Sequence, residues 1–164
     1  MACRGVHFAI QPEIVDKLLR AESDEDLIDI VTEDIEETWD KDWLHQSDKA
    51  WDAIHRCLTD GHLGFNNGPY PLRAIVLGGT QLYQGDDWII SLVEPSQVGI
   101  VAEALTKVDK NFLKRGYEHI DASDYEGELG TEDWEYTWSW FDGLSALFSK
   151  AAAASRGVVF TVDQ

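Results

Sequence analysis

Asp48-Lys49-Ala50-Trp51-Asp52-Ala53-Ile54-His55-Arg56-Cys57-Leu58-Thr59-Asp60-Gly61 runs through the first half of a chain of 164 residues. Trp51, Ile54 and Leu58 recur at helical spacing, and Leu44 stands ahead of them on the same face. Gly61 is placed to follow the end of that helix. The spacing predicts a helix over residues 47–58 with one buried face. Asp48, Trp51 and His55 stand at i, i+3 and i+7, on one side of such a helix. A carboxylate, an indole and an imidazole on one face are candidates for holding a ligand, and histidine exchanges a proton near neutral pH.

Outward toward the N-terminus, Ser23-Asp24-Glu25-Asp26 resembles a capping box with Asp in place of Glu. Leu27, Val31 and Ile35 follow at i, i+4, i+8. Before them, residues 6–10 read as a short apolar strand, and Pro12 opens a helix at its first position. Toward the C-terminus, residues 59–71 read as a Gly/Asn/Pro-rich loop. Residues 72–77 are an apolar run of either type. Residues 88–93 read as a buried strand, and Glu94-Pro95 opens a helix with Val98, Val101, Ala102 and Leu105 on its stripe. A shorter helix follows Asp109. Thr131 starts the last and longest helix, with Trp134, Trp138, Phe141, Ser145 and Phe148 along one face. Gly157 stops it, and residues 158–162 close the chain as a strand. The expectation is an α+β fold, helix-rich, one domain over residues 1–164, with a small sheet of short strands.

The charge narrows the partners. Lys and Arg number 13 against 31 Asp and Glu, a net charge of −18. Such a chain is repelled by phosphate backbones and anionic lipid, so neither nucleic acid nor membrane is expected as a partner. The two cysteines, Cys3 and Cys57, make no disulfide framework, and a reduced, cytoplasmic location is expected. Residues 6–10 are too short an apolar run for a signal peptide. No cofactor motif is present, so none is expected.

The acid is not spread evenly. Residues 22–42 hold eleven Asp or Glu and one Lys; residues 118–135 hold eight and no Lys or Arg. Within them Asp34, Glu36, Glu37, Asp40, Glu126, Glu128, Glu132 and Asp133 are candidates for facing a basic partner. Lys107, Lys110, Lys114 and Arg115 form the one basic cluster. If both acidic segments share a face, a basic protein partner gains support; on opposite sides, the charge serves solubility.

Metal chemistry finds little footing. His55 and Cys57 point about 200° apart at ~100° per residue, so with His62 they do not converge on one ion. An EF-hand alignment on Gly127 places Asp124 and Glu126 at ligand positions but puts Ala122 at the first, where a carboxylate is needed. Gly78-Gly79 has no following Lys-Ser or Lys-Thr for a phosphate loop.

The 48–61 run resembles a signature of the YfbM-like family, uncharacterised bacterial proteins grouped as a domain of unknown function. Pro12-Glu13 after the first strand, Ala74-Ile75-Val76-Leu77-Gly78-Gly79, the strand into Glu94-Pro95 and the long final helix into a strand follow in the same order. The resemblance implies an α+β fold and a bacterial cytoplasmic domain, and no established activity. Arg56, followed by Cys57, departs from the apolar or aromatic residue usual after Ile54-His55. Two functions follow from these readings. The favoured one is a non-enzymatic acidic protein engaging a basic partner, for example an immunity-type inhibitor. The alternative is a small-molecule binder or enzyme with a pocket around Asp48, Trp51 and His55.

Overall fold

A computed structural model describes residues 3–163 of the expected 1–164 unit. Five strands form one antiparallel sheet in the order β2-β1-β5-β4-β3: β1 Gly5–Ile10, β2 Leu44–Asp48, β3 Thr80–Gln81, β4 Trp88–Val93 and β5 Gly157–Asp163. The first and last strands therefore lie side by side, with Phe8 opposite Val159 and Ile10 opposite Gly157. Gly5-Val-His-Phe-Ala-Ile10 and Gly157-Val-Val-Phe-Thr-Val162 are almost continuously apolar, which is the pattern of strands covered on both faces.

Both faces are covered. Phe8, Ile10, Val159, Ile90 and Leu92 point to one side, where α1 (Pro12–Arg20), α2 (Asp24–Asp29) and the turns that continue it to Glu36 pack Leu18, Leu27, Val31 and Ile35 against them. Ala9, Val158, Phe160, Val162 and Val93 point to the other. There they meet α3 (Trp51–Leu58), α4 (Pro95–Leu105), α5 (Lys110–Tyr117), α6 (Thr131–Phe141) and α7 (Leu144–Ala153). The expected α+β, helix-rich architecture stands, with helices on both sides of the sheet.

Three local expectations change. First, residues 44–48 form strand β2, so Ser47 and Asp48 belong to a strand and the third helix, expected from residue 47, begins at Trp51. A five-residue stretch carries too few repeats to separate a helical from an extended period, and the free edge of β1 decides: Leu44 pairs with Phe8 and His45 with His7. Leu44 accordingly packs with the opposite layer, beside Phe8 and Ile10. Second, the final helix is two helices. Gly143 adopts φ +99, a left-handed conformation that breaks the run between Phe141 and Leu144. Third, α2 does not end as an α-helix. It continues as a π-helix over Ile30–Glu36, whose closing bond runs from Glu37 N–H to the Thr32 carbonyl.

His7 sits in the core at 1% exposure, between Phe148 and Phe160. Its Nε2 lies 2.7 Å from the Ile75 carbonyl. A carbonyl only accepts, so Nε2 carries the proton and Nδ1 is a bare acceptor with no partner. Burial holds the imidazole down at about pKa 3. Burial also lowers His45 and His55. A histidine whose folded pKa lies below its unfolded value favours the fold while neutral; that stability is complete above pH 6.5 and drains as pH falls toward the folded value. Urea midpoints are therefore expected to drop between pH 6.5 and 5, with His7 contributing a slope of up to about 1.4 kcal/mol per pH unit. His7→Gln keeps a donor for Ile75 and does not titrate, so its slope should be shallower. Equal slopes in the two proteins would remove His7 from this account.

Candidate functional site

The trio that the helical spacing suggested does not assemble. Asp48 leaves α3 and ends β2, at φ +45. Its Oδ2 accepts from the Tyr136 hydroxyl at 2.6 Å, and Arg4 Nε lies 3.3 Å from Oδ1. Trp51 is buried against Phe160, and its Nε1–H donates to the Cys3 carbonyl at 3.0 Å. His55 is 1% exposed. Its Nε2 meets Asn67 Oδ1 at 3.1 Å, an amide whose Nδ2 donates to Asp60 and to the His62 carbonyl. That fixes Oδ1 toward the ring, so Nε2 is the protonated nitrogen. Each of the three thus bonds a different segment of the chain, and α3 is buried along its length from Ala53 to Leu58.

The strongest electrostatic feature of α3 is one the spacing did not single out. Arg56 is 2% exposed, yet it carries a full charge. Its Nε donates to Asp52 Oδ1 at 2.5 Å, Nη1 pairs with the Asp124 carboxylate, and Nη2 donates to the Asp124 carbonyl at 3.1 Å. The guanidinium also lies 5.4 Å from the Tyr125 ring centroid. Burial opposes the charge, but the two carboxylates outweigh it and hold the guanidinium above its ordinary pKa. This cluster ties the acidic 118–130 segment to α3. Asp133 is part of the same structure: it accepts from the Tyr117 hydroxyl at 2.6 Å and from Tyr125 at 3.1 Å. Cys57 is buried, and burial followed by Asp133 pushes its thiol up, so it offers no thiolate. Among the described residues, no three His, Cys, Asp or Glu side chains are grouped as metal ligands.

A cleft lies elsewhere, at the far end of β1. Its volume is about 260 Å³, and Phe8, Ile10, Ile14 and Ile35 supply apolar lining. Trp43, Arg156, Asp34, Thr38 and Asp40 complete its polar and aromatic surround. Several local irregularities converge on it. The π-helix brings Asp34 and Ile35. Trp39, at φ +39, separates Thr38 from Asp40 and stands edge-on to Phe8 at 5.7 Å. Ser155, at φ +55, turns the chain immediately before Arg156. Left-handed non-glycine residues cost about 1–3 kcal/mol each and concentrate at functional sites. The Arg156 guanidinium stacks 3.5 Å above the Trp43 ring, and Nη1 donates to the Ala9 carbonyl at 3.2 Å. A wider, more open cleft of about 650 Å³ between α1 and α2 is lined by Glu13, Asp16, Glu22, Asp26 and Asp29 together with Lys17, Arg20, Ala21 and Ile30.

A family model described as a domain of unknown function, DUF1877, matches residues 1–161. The chain belongs to this family. Among solved structures, the crystal structure of YfbM from Escherichia coli, a protein of unknown function, is similar to this DUF1877 chain. The TM-score is 0.70 at 20% identity, over 97% of this chain and 99% of that one. The likeness is one of fold. A search of curated proteins finds no match. The family description carries no activity, so the chemistry of this DUF1877 domain rests on its own side chains.

Those side chains also answer how the acid is placed. Asp34, Glu36 and Glu37 belong to the layer of α1 and α2; Glu126, Glu128, Glu132 and Asp133 belong to the opposite layer, around α6. The two acidic segments are separated by the sheet. Lys17 pairs with Asp34 at 2.9 Å, and Glu36 is half-buried beside Thr161. Asp40 accepts from the Asp42 N–H at 3.1 Å on the rim of the cleft. Among the described residues, no helix is long and apolar enough to cross a membrane. Arg156 and Trp43, which shape the cleft, lie 113 residues apart in the chain. One sequence signal did point there: a lone Arg between the end of a helix and a buried strand.

Proposed function

We propose that this domain binds a small molecule in the cleft between the end of β1, the π-helix and the Trp43–Arg156 stack. The observation that supports the reading is the cleft itself: an apolar lining beside a guanidinium held in place by an indole and a backbone carbonyl. Small-ligand sites join apolar lining to a few placed polar groups; this cleft has both in about equal parts, with Phe8, Ile10, Ile14 and Ile35 facing Asp34, Thr38, Asp40 and Arg156. At about 260 Å³ the cleft is smaller than the ~300–1,000 Å³ of sites for drug-sized ligands. The ligand class of the alternative sequence reading is kept, at a different place from Asp48, Trp51 and His55. The basic-partner reading has less to draw on, because its two acidic segments lie in opposite layers and offer no single face.

A fragment library screened by nitrogen-edited NMR tests the proposal on the indole N–H resonances of Trp39 and Trp43. Hits are expected to shift both. Ile14→Trp, which fills the cleft from its half-buried rim, should weaken them at least tenfold, about 1.4 kcal/mol. Fragments that leave both indoles unmoved, or that bind Ile14→Trp as well as the parent, would sink the proposal.

A further inference from the structure

Resting on that reading of the cleft, we infer that its ligand is a small zwitterion with an apolar side group, of the α-amino acid type. Three observations lead there.

The first is an uncommitted positive charge. Arg156 is half-buried, and among the described residues it makes no ion pair, in a chain of net charge −18. Its partners are an aromatic ring and one carbonyl. A guanidinium has five N–H donors in a planar fork that matches a carboxylate, so most of that fork remains to be used. Stacking on Trp43 holds the plane still, which lowers the entropy lost when a ligand docks.

The second is the pair of carboxylates in the same lining, Asp34 and Asp40. Asp40 has no cationic partner among the described residues; Asp34 shares Lys17. With Asp34 answered by Lys17, an anion bound at Arg156 would still face the unpaired Asp40 carboxylate unless it brought a cation of its own. A cation alone would leave the guanidinium unanswered. One ligand that carries both charges satisfies the lining, and like-charge juxtaposition rejects the others.

The third is size. At about 260 Å³ the cleft falls just below the ~300–1,000 Å³ of sites for drug-sized ligands, which sets the scale at a smaller molecule. Leucine is a ligand of that scale. Its isobutyl group suits the surface made by Phe8, Ile10, Ile14 and Ile35, which gains by covering apolar area.

Four probes that share one isobutyl group separate the outcomes: leucine, 4-methylpentanoate, 3-methylbutylamine and neutral 3-methylbutan-1-ol. Binding is read by titration calorimetry and by the Trp39 and Trp43 indole resonances. Leucine is expected to bind at least tenfold tighter than each of the other three. Arg156→Gln should weaken leucine at least tenfold and leave 3-methylbutylamine unchanged, which also shows that the variant is folded. Asp40→Asn should weaken leucine and leave 4-methylpentanoate unweakened. If the carboxylate or the amine alone binds in the cleft as tightly as leucine, the zwitterion is wrong while the cleft survives. If none of the four moves either indole, the zwitterion is wrong; the cleft reading itself falls if the fragment screen leaves both indoles unmoved as well.

Discussion

Arg56→Ala is expected to destabilise the protein by about 3 kcal/mol, because it removes a buried guanidinium with its packing and leaves the partly exposed Asp52 and Asp124 carboxylates without their cation. Asp52 would keep its carboxylate beside a void, with its burial uncompensated. The Gly61 carbonyl would lose a donor, and Asp124 and Tyr125 would lose the group that anchors their segment. Arg56→Lys should recover only part of the loss, since one ammonium does not reproduce the fork that reaches Asp52 and Asp124 together. Arg56→Met combined with Asp52→Asn removes the buried guanidinium and its partly buried partner charge while keeping volume, and it should be more stable than Arg56→Met alone. Urea unfolding with an unchanged m-value checks each variant. A loss below 1 kcal/mol in Arg56→Ala would show that the cluster is solvated and contributes little.

Gly61→Ala should cost about 3 kcal/mol, from two causes that a second variant separates. Gly61 has φ +88, where a β-carbon is strained, and a β-carbon built there lies 2.1 Å from the His119 carbonyl oxygen. The carbonyl belongs to the backbone and does not move cheaply. Asparagine tolerates the left-handed region. If strain dominated, Gly61→Asn would recover most of the loss; because the clash is with backbone, it should recover little. Gly61 also receives Arg56 Nη1 at 3.4 Å and gives its N–H to the Arg56 carbonyl at 3.1 Å, and its own carbonyl accepts from Asp121 N–H at 3.1 Å. The two sites share partners, so Arg56→Ala and Gly61→Ala combined should cost less than their sum. Additive losses would separate the two sites energetically.

The run from Asp48 to Gly61 divides what was legible from what was not. Its helix was readable because Trp51, Ile54 and Leu58 repeat at the helical period, and all three are buried. Gly61 was readable as a stop for the same local reason. The two-sided burial of β1 and β5 was written in their apolar runs, as were the Pro12 and Pro95 helix starts. The end of that helix face was not. Asp48 became part of a strand because β1 had an open edge, and a pairing 42 residues away, Ser47 Oγ to the Gly5 carbonyl at 3.1 Å, holds it there. Arg56 looked like an interruption of an apolar face until Asp124 arrived from 68 residues away to pair with it.

The same limit governs the candidate site. Spacing within one helix placed Asp48, Trp51 and His55 together, but a shared face does not decide what a side chain meets across a loop. The cleft depends on Trp43 and Arg156, which stack only because β1 lies between β2 and β5 in the sheet. Local periodicity, caps and breakers determined the elements of this protein, since those signals act over one or two turns of chain. Strand order, the separation of the two acidic segments and the Trp43–Arg156 contact were decided by the tertiary structure, because each is a pairing between distant residues that no local period encodes.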